Sequence, residues 1–599
     1  MHRRTKIVCT IGPAVSSEEK IDQLISAGMN VARLNFSHGT REDHAKTIAN
    51  LKKLRKKREI PLAIMLDTKG PEIRVGKLIQ EQLELKKRDK LKLVKGEAKE
   101  SLEVPITPAS VVDDLEEGMH VLFDDGYISA KVIEKSKDFV TVQIENPGVL
   151  LSNKGINIPH ENIDLPAMTE QDMADIRFGC EQDVDIIAAS FIRSAEHILE
   201  IKQLLAKEKA QDIMVMAKIE SAEGVNHFDS ILQAADGIMV ARGDLGVELP
   251  LKDVPRLQKM MIRKCYHSGK SVIIATQMLE SMITNPRPTR AEVSDVANAI
   301  YDSASAVMLS GETAVGKYPI EAVKMMRSVI EEAESDFDYR SFFYSDTRGD
   351  FYDVATSVGL ASVKTAYAID AKAIFVFTHS GNAARTIARL RPYQPIIALS
   401  PTQKTYHQMG VNWGVVPFFG EVKDLKSGFA TLSCFALKKK LTRYGDLVVV
   451  SAGSPFGISG TTNTMIVENI GDVLVRGYAT KKGKRTVGKV LIVLSTENKR
   501  QYHIQGKVAV LTACDTEYEK LLHGTAGIIL QNHPDDLESE KCAKALAKNL
   551  NVPLITRADN ASTILQEGQL VTLDPQKGLV FKGSFSTDDE MIHQVCCDD

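Results

Sequence analysis

The chain has 599 residues, and at roughly 100–200 residues per domain that length asks for about three to five domains rather than one. Hydrophobic residues make up 43% and charged residues 26%, which excludes global disorder and leaves apolar material for several cores. With 75 Lys and Arg against 78 Asp and Glu, the net charge of -3 carries no signature of nucleic-acid or acidic-membrane binding, so any phosphate site has to be local.

Met1 to Arg4 run straight into the strand-type segment Lys6 to Ile11, with no signal-peptide core, and no later run reaches the length of a membrane span. A cytoplasmic protein is expected. Its eight cysteines (Cys9, Cys180, Cys265, Cys434, Cys514, Cys542, Cys596 and Cys597) form no CxxC pair and are expected as reduced thiols.

Up to about residue 340, short apolar runs alternate with amphipathic helices. The strand candidates are Lys6 to Ile11, Val31 to Phe36, Leu62 to Asp67, Asp185 to Ser190, Ile213 to Ile219, Gly237 to Val240, Ser271 to Thr276 and Ala306 to Leu309. Ser17 opens one helix with Ile21, Leu24 and Ile25 on a single face and Gly28 closing it; Ser194 opens another. Eight such units predict an α/β fold, a (β/α)8 TIM barrel built from residues 1–70 and 167–340. Between strands three and four the helical period disappears in favour of short alternating segments, which predicts an inserted small β-barrel lid domain over 71–166. Residues 341–476 read as an α/β regulatory domain with strands at Ala373 to Phe377, Ile396 to Leu399 and Leu447 to Ser451. The basic, glycine-containing stretch Ala479 to Lys489 reads as a linker, and residues 486–599 as a fourth, smaller α/β domain.

In such a barrel the active site lies where strands end, and these ends are rich in polar residues: Arg33, Asn35, Ser37 and His38; Asp67 and Thr68; Lys218 and Glu220; Arg242, Gly243 and Asp244; Thr276; Ser310 to Thr313. Period-two alternation is expected to put Arg33, Asn35 and Ser37 on one face, and likewise Lys218 with Glu220 and Arg242 with Asp244. Two carboxylates, Glu220 and Asp244, suit Mg2+ or Mn2+ if substrate oxygens and water complete the shell. Arg33, Lys218 and Arg242 can meet a phosphoryl group in transfer. Gly311 to Tyr318 nearly matches a phosphate-binding GxxxxGK[ST] loop, but Tyr318 replaces the required hydroxyl residue and a chance match is expected.

The motifs Asn35-Phe-Ser-His-Gly39, Asp67-Thr-Lys-Gly-Pro-Glu-Ile-Arg74, Met216-Ala-Lys-Ile-Glu220, Met239-Val-Ala-Arg-Gly-Asp-Leu-Gly246, Ala275-Thr-Gln-Met278 and Met308-Leu-Ser-Gly-Glu-Thr313 resemble those of pyruvate kinases over about residues 1–475. The resemblance implies phosphoryl transfer from phosphoenolpyruvate to ADP. It implies Glu220 and Asp244 as Mg2+ ligands, and Lys218, Arg33 and Thr276 as catalytic residues. It places Ala241, Arg242, Gly243 and Asp244 with Arg33, Lys218 and Thr276 around the substrate, and Asn35, His38, Arg74 and Lys154 around the nucleotide. Asn35, Ser37, Asp67 and Thr68 match K+ positions, and the carboxylate of Glu72 goes with K+ dependence. The resemblance further suggests a homotetramer and a phosphorylated allosteric effector held by Thr378, Ser380, Gly381 and Asn382, near Ser454 to Thr464. One departure is Asp302-Ser-Ala-Ser305, where the family carries glycine second, so altered turn geometry is expected.

Two other readings stay open on the residues alone: a Mg2+-dependent pyruvate or enolate lyase or aldolase on the same barrel, and an inactive metabolite sensor. The C-terminal domain resembles the swivelling phosphohistidine domain of phosphoenolpyruvate-utilising enzymes. Counting back from Pro553 puts Cys542 where that domain has its acceptor histidine, and His533 lies outside the expected helix.

Overall fold

A computed structural model describes residues 3–159, 163, 165–346, 353–455, 460–480, 483–496, 502–585 and 596. It separates into two compact units, residues 1–356 with 378–420, and 357–377 with 421–599. In the first unit, β1 (Lys6–Thr10), β2 (Val31–Asn35), β3 (Ala63–Asp67), β4 (Ile186–Ala189), β5 (Met214–Ile219), β6 (Gly237–Ala241), β7 (Ser271–Ala275) and β8 (Ala306–Leu309) close a parallel barrel in sequential order. All eight predicted strands are present, with no end shifted by more than one residue.

Strand side chains alternate between two buried faces. Val8, Val31, Met65, Met216, Met239, Ile273 and Met308 pack together in one cluster, while Ile7, Cys9, Ala32, Leu34, Ile64 and Leu66 join the layer that includes the helices. Both faces are apolar, so these strands read as continuous hydrophobic runs. The flexible, polarisable methionines suit the irregular space inside the barrel. Around it the helices carry local stop and start chemistry. The Ser17 hydroxyl accepts from Lys20 N, and Thr40 with Asp43, Thr169 with Asp172 and Thr289 with Glu292 form reciprocal caps. Ser194 begins its helix without such a bond.

The chain leaves β3 through Gly70, whose φ of 78° and tight approach to Ser190 and Phe191 leave no room for a Cβ. It then builds a second closed barrel from Ile73–Val75, Lys90–Val94, Glu103–Thr107, His120–Phe123, Ile128–Lys135, Phe139–Ile144 and Gly155–Asn157. Leu91, Leu93, Val104, Val121, Val140 and Val142 fill it. Asp172 accepts from Gly70 N at 2.9 Å with one oxygen and from Thr169 N with the other, so a single carboxylate pins the exit from the large barrel to the return.

The second unit holds Ala373–Phe377 parallel to Leu447–Gly453, which pairs antiparallel with Thr462–Asn469. It also holds an eight-stranded sheet running from Val473–Arg476 to Tyr478–Ala479 at its two edges. Within that sheet Val508–Leu511, Gly527–Leu530 and Leu554–Thr556 are parallel, and Thr486–Val493 joins them to Leu570–Asp574. The linker expected over 479–489 is therefore partly sheet: Ala479 ends one strand and residues 486–489 begin another, in which alternate residues are exposed, while residues 483–485 lie between strands. Cys434 and Cys596 form a disulfide, which corrects the expectation that every thiol is reduced.

Candidate active site

β5 brings Lys218 into the barrel mouth, where its ammonium lies 3.1 Å from Asp67, 3.0 Å from Glu220 and 2.7 Å from Ser190 Oγ. Burial opposes the charge on Lys218, but the Asp67 and Glu220 carboxylates outweigh it and hold the amine firmly protonated. Asp67, fully buried, also accepts from Arg33 Nε at 2.5 Å. Burial alone would push its carboxyl up; Arg33 and Lys218 instead hold it below the usual carboxylate range. Arg33 Nη1 donates to Thr10 Oγ1 at 3.0 Å. Two cations are thus aimed across one floor by an anion beneath them.

Glu220 accepts from the Phe191 amide at 2.5 Å, and Asp244 is its neighbouring carboxylate in the same cavity. Burial, reinforced by the neighbouring Asp244 charge, pushes Glu220 up, and burial likewise raises Asp244. A buried carboxylate, Glu220, beside a half-buried one, Asp244, can share a proton or a cation, which fits a hard divalent ion completed by substrate oxygens and water. Among the described residues no group of three or more His, Cys, Asp and Glu side chains is placed to hold a metal alone.

At the end of β7, Thr276 and Gln277 both take the left-handed conformation, with φ of 65° and 54°. The Thr276 hydroxyl donates to Ala275 O at 2.7 Å and accepts from Gly243 N at 2.8 Å. β6 ends at Ala241 and a short helix, Arg242–Glu248, begins, so strand alternation stops there and Arg242 and Asp244 do not share a face. Arg242 instead donates to Asp295 at 2.6 and 2.8 Å and to Thr276 O at 2.7 Å. Alternation ends at Asn35 on β2 as well. Ser37 lies beyond it in a turn, its amide donating to Asn35 Oδ1 at 3.2 Å.

Two adjoining cavities occupy the mouth. One of about 310 Å3 is lined by Arg33, Asn35, Ser37, His38, Glu72, Arg74, Lys218, Glu220 and Asp244. The other, about 400 Å3, runs beneath the inserted barrel past Glu72, Arg74, Asp124, Lys154, Asp244 and Glu248. Arg74 donates to Glu72 at 2.6 Å and to Asn153 O at 2.7 Å, Lys154 pairs with Asp124 at 2.8 Å, and Asn157 reaches Glu248 at 3.1 Å. Thr68 Oγ1, buried below, accepts from Ser190 N. Sequence reasoning passed over Ser190, although it is the polar end of the fourth strand and the same strand-end rule points to it. It also missed Asp295, which lies on a helix and gave no local signal.

Thr378, Ser380, Gly381 and Asn382 lie outside this mouth, in the turn leading into the helix Asn382–Ala388; Gly381 has φ 78°. Of the loop Ser454 to Thr464, residues 456–459 fall outside those described. The near-match at Gly311 to Tyr318 offers no cradle: Ala314, Val315 and Gly316 amides donate to Ser310, Gly311 and Gly311 carbonyls, and Lys317 N donates to Ile283 O. Glu312 is buried and accepts from the Leu279 and Ser310 amides. No helix among the described residues is long and apolar enough to cross a membrane.

The pyruvate kinase barrel-domain family matches residues 2–323, and the pyruvate kinase alpha/beta-domain family matches residues 356–468. The chain is 42% identical over 592 residues to a pyruvate kinase of Geobacillus stearothermophilus, covering 98% of this chain and 100% of that protein. It is 40% identical over 588 residues to one from Sporosarcina psychrophila, covering 98% and 100%. It is 41% identical over 587 residues to one from Staphylococcus aureus strain MRSA252, covering 97% and 99%.

Proposed function

The chain belongs to the pyruvate kinase family, and on that premise we propose that the side chains at the barrel mouth transfer the phosphoryl group of phosphoenolpyruvate to ADP, giving pyruvate and ATP. The observation that carries the assignment of roles is the buried Arg33, Asp67, Lys218 and Glu220 network. Arg33 and Lys218 meet the charge spread over the equatorial oxygens of the phosphoryl in flight. Their own geometry is set beforehand by Asp67, so little reorganisation is needed when the charge develops. Glu220 and Asp244 would hold Mg2+ or Mn2+, which when bound supplies Lewis-acid charge to the substrate oxygens. The amides of Gly243 and Asp244 and the Thr276 hydroxyl bind the carboxylate end of the substrate. Gly243 N, engaged by Thr276 Oγ1, must exchange that bond for a substrate oxygen. The enolate takes its proton from the Thr276 hydroxyl or from a water beside it.

Asn35, His38, Arg74 and Lys154 take the nucleotide, and the inserted barrel excludes water from the transfer. Asn35, Ser37, Asp67 and Thr68 contribute oxygens for K+, with Glu72 nearby adding negative charge. In this reading the domains divide at about residues 70, 166, 340 and 476–486, the enzyme works in the cytoplasm as a homotetramer, and a phosphorylated effector binds at Thr378, Ser380, Gly381 and Asn382.

ATP formation from phosphoenolpyruvate, ADP and Mg2+ tests the reaction, and Lys218→Ala tests the site. Losing one preorganised donor should lower kcat by about 10²–10³-fold. Normal turnover in the folded variant would remove Lys218 from the chemistry; a lyase would act without nucleotide. The same assay in bulky organic cations should show activity returning only with K+, and full activity without it would sink the K+ assignment. A panel of phosphorylated metabolites that shifts neither phosphoenolpyruvate saturation nor melting temperature would remove the effector site.

A further inference from the structure

In the C-terminal sheet domain, the strand Val508–Leu511 leads to Cys514, whose backbone amide donates to Ser539 Oγ at 3.1 Å. Ser539 lies in the first turn of the helix Leu537–Leu550 and is capped in turn by Asp536. One turn further along the same helix face is Cys542. Cys514 lies within one apolar cluster with Tyr518, Leu522, Leu530 and Ala543, and Cys542 packs against that same cluster. Cys514 is 6% exposed, and Cys542 is half-buried. Neither thiol serves the barrel-mouth chemistry.

We propose that Cys514 and Cys542 form a reversible thiol–disulfide modification site whose oxidant is hydrogen peroxide. The half-buried Cys542 sulfur attacks one peroxide oxygen; the O–O bond breaks, one water leaves and Cys542 becomes a sulfenic acid. The Cys514 sulfur then attacks the Cys542 sulfur. The S–S bond forms, the S–O bond breaks, and the departing hydroxyl takes the Cys514 proton as a second water. Two thiols lose two electrons to one peroxide, and two waters are formed. The order of events follows from environment: burial, together with the Cys542 contact and nearby Asp515 and Asp536, pushes the Cys514 thiol up, so it stays protonated until its partner has been oxidised. The bond ties the loop after Val508–Leu511 to the helix Leu537–Leu550, closing a chain segment from residue 514 to 542. Cys596 is already bonded to Cys434 and does not compete.

The test uses the full-length protein, treated with hydrogen peroxide, quenched with catalase, alkylated after denaturation and digested without reduction. The expected result is a linked pair of peptides containing Cys514 and Cys542, two hydrogens lighter than their sum and separated by dithiothreitol. In Cys514→Ala the Cys542 sulfenic acid should persist and be trapped by a cyclic 1,3-dione; in Cys542→Ser the Cys514 thiol should remain alkylatable. The proposal is overturned if Cys542 collects two or three oxygens while Cys514 stays free. It is equally overturned if Cys542 links to another cysteine, or if both thiols remain alkylatable under peroxide that fully oxidises added glutathione. The wild-type peptide map decides the matter even if a variant fails to fold.

Discussion

Arg242 spends its guanidinium on holding neighbours in place rather than on open solvent. Asp295 fixes one end of it, and the other donates to the carbonyls of Ala275 and Thr276. Thr276 needs such help, because a β-branched residue in the left-handed region is unfavourable. A strain of roughly 1–3 kcal/mol persists only where the surroundings over-determine it. The chain of contacts therefore runs from Asp295 through Arg242 to Thr276 and on to the Gly243 amide proposed to meet the substrate. Asp295→Asn keeps the shape and removes the charge that anchors Arg242. A charge-assisted hydrogen bond contributes about 1.5–3 kcal/mol, so kcat/KM for phosphoenolpyruvate should fall roughly 10- to 150-fold. Circular dichroism should show the same folded content. Unchanged kcat/KM would mean that Thr276 keeps its geometry without this chain.

The elements differ in how far their own residues announce them. The eight barrel strands are legible because each is a short β-branched and aliphatic run between helices with caps, and the motifs at their ends single out Lys218, Glu220, Asp244 and Arg33 in the sequence itself. What the sequence could not show is where a strand stops. Arg242 and Asp244 look like one strand face until Ala241 proves to be the last strand residue, and the turn then sends one side chain to Asp295 and the other to Glu220. Non-local partners are equally silent: Asp295 meets Arg242 across 53 residues of chain, and Val473–Arg476 and Thr486–Val493 find strand partners as far away as Leu579–Lys582 and Leu570–Asp574. The turn before β8 was legible in a different way, as a missing glycine. Ser303 has φ 72° there and is 2% exposed, and among the described residues its hydroxyl finds no hydrogen-bond partner. The left-handed conformation costs a non-glycine residue about 1–2 kcal/mol, against roughly 0.5–1 for the extra unfolded-state freedom of glycine. Relieving the buried hydroxyl adds to the gain. Ser303→Gly should therefore stabilise the barrel by about 1 kcal/mol and raise its melting temperature by roughly 2–4 °C with activity unchanged. A lower melting temperature would show that the Ser303 side chain contributes packing that the missing hydrogen bond conceals.

At the scale of the whole molecule, the residues proposed for catalysis all lie in the first unit, whereas the C-terminal sheet is built into the second so closely that it is not a detachable appendix. Tyr444 packs against Phe581 and Phe585 with ring centroids 5.1 and 5.9 Å apart, and its carbonyl accepts from Lys577 Nζ at 2.7 Å. Gly445, at φ 88°, faces Leu579 and Phe581 so closely that a Cβ would collide with them. Val473–Arg476 pairs with Leu579–Lys582, and Cys596 is bonded to the helix Leu425–Lys438. Cutting the chain after Gly477 therefore strips the cover from Tyr444 and Val475, both about 2% exposed in the intact chain. It leaves Val473–Arg476 as an unpaired edge and removes a disulfide that constrains the unfolded chain. Fully burying one large apolar side chain contributes about 1.5–3 kcal/mol, so uncovering these two costs several kcal/mol, concentrated in residues 357–377 and 421–477. The truncated enzyme should still turn over phosphoenolpyruvate and ADP at a similar kcat. It should show an additional, earlier melting transition and a greater tendency to aggregate, and Tyr444→Ser combined with the cut should restore solubility without restoring stability. Calorimetry alongside the kinetic assay separates the two effects. Loss of kcat in a truncated protein whose barrel still melts as in the full chain would instead make the C-terminal sheet a contributor to turnover.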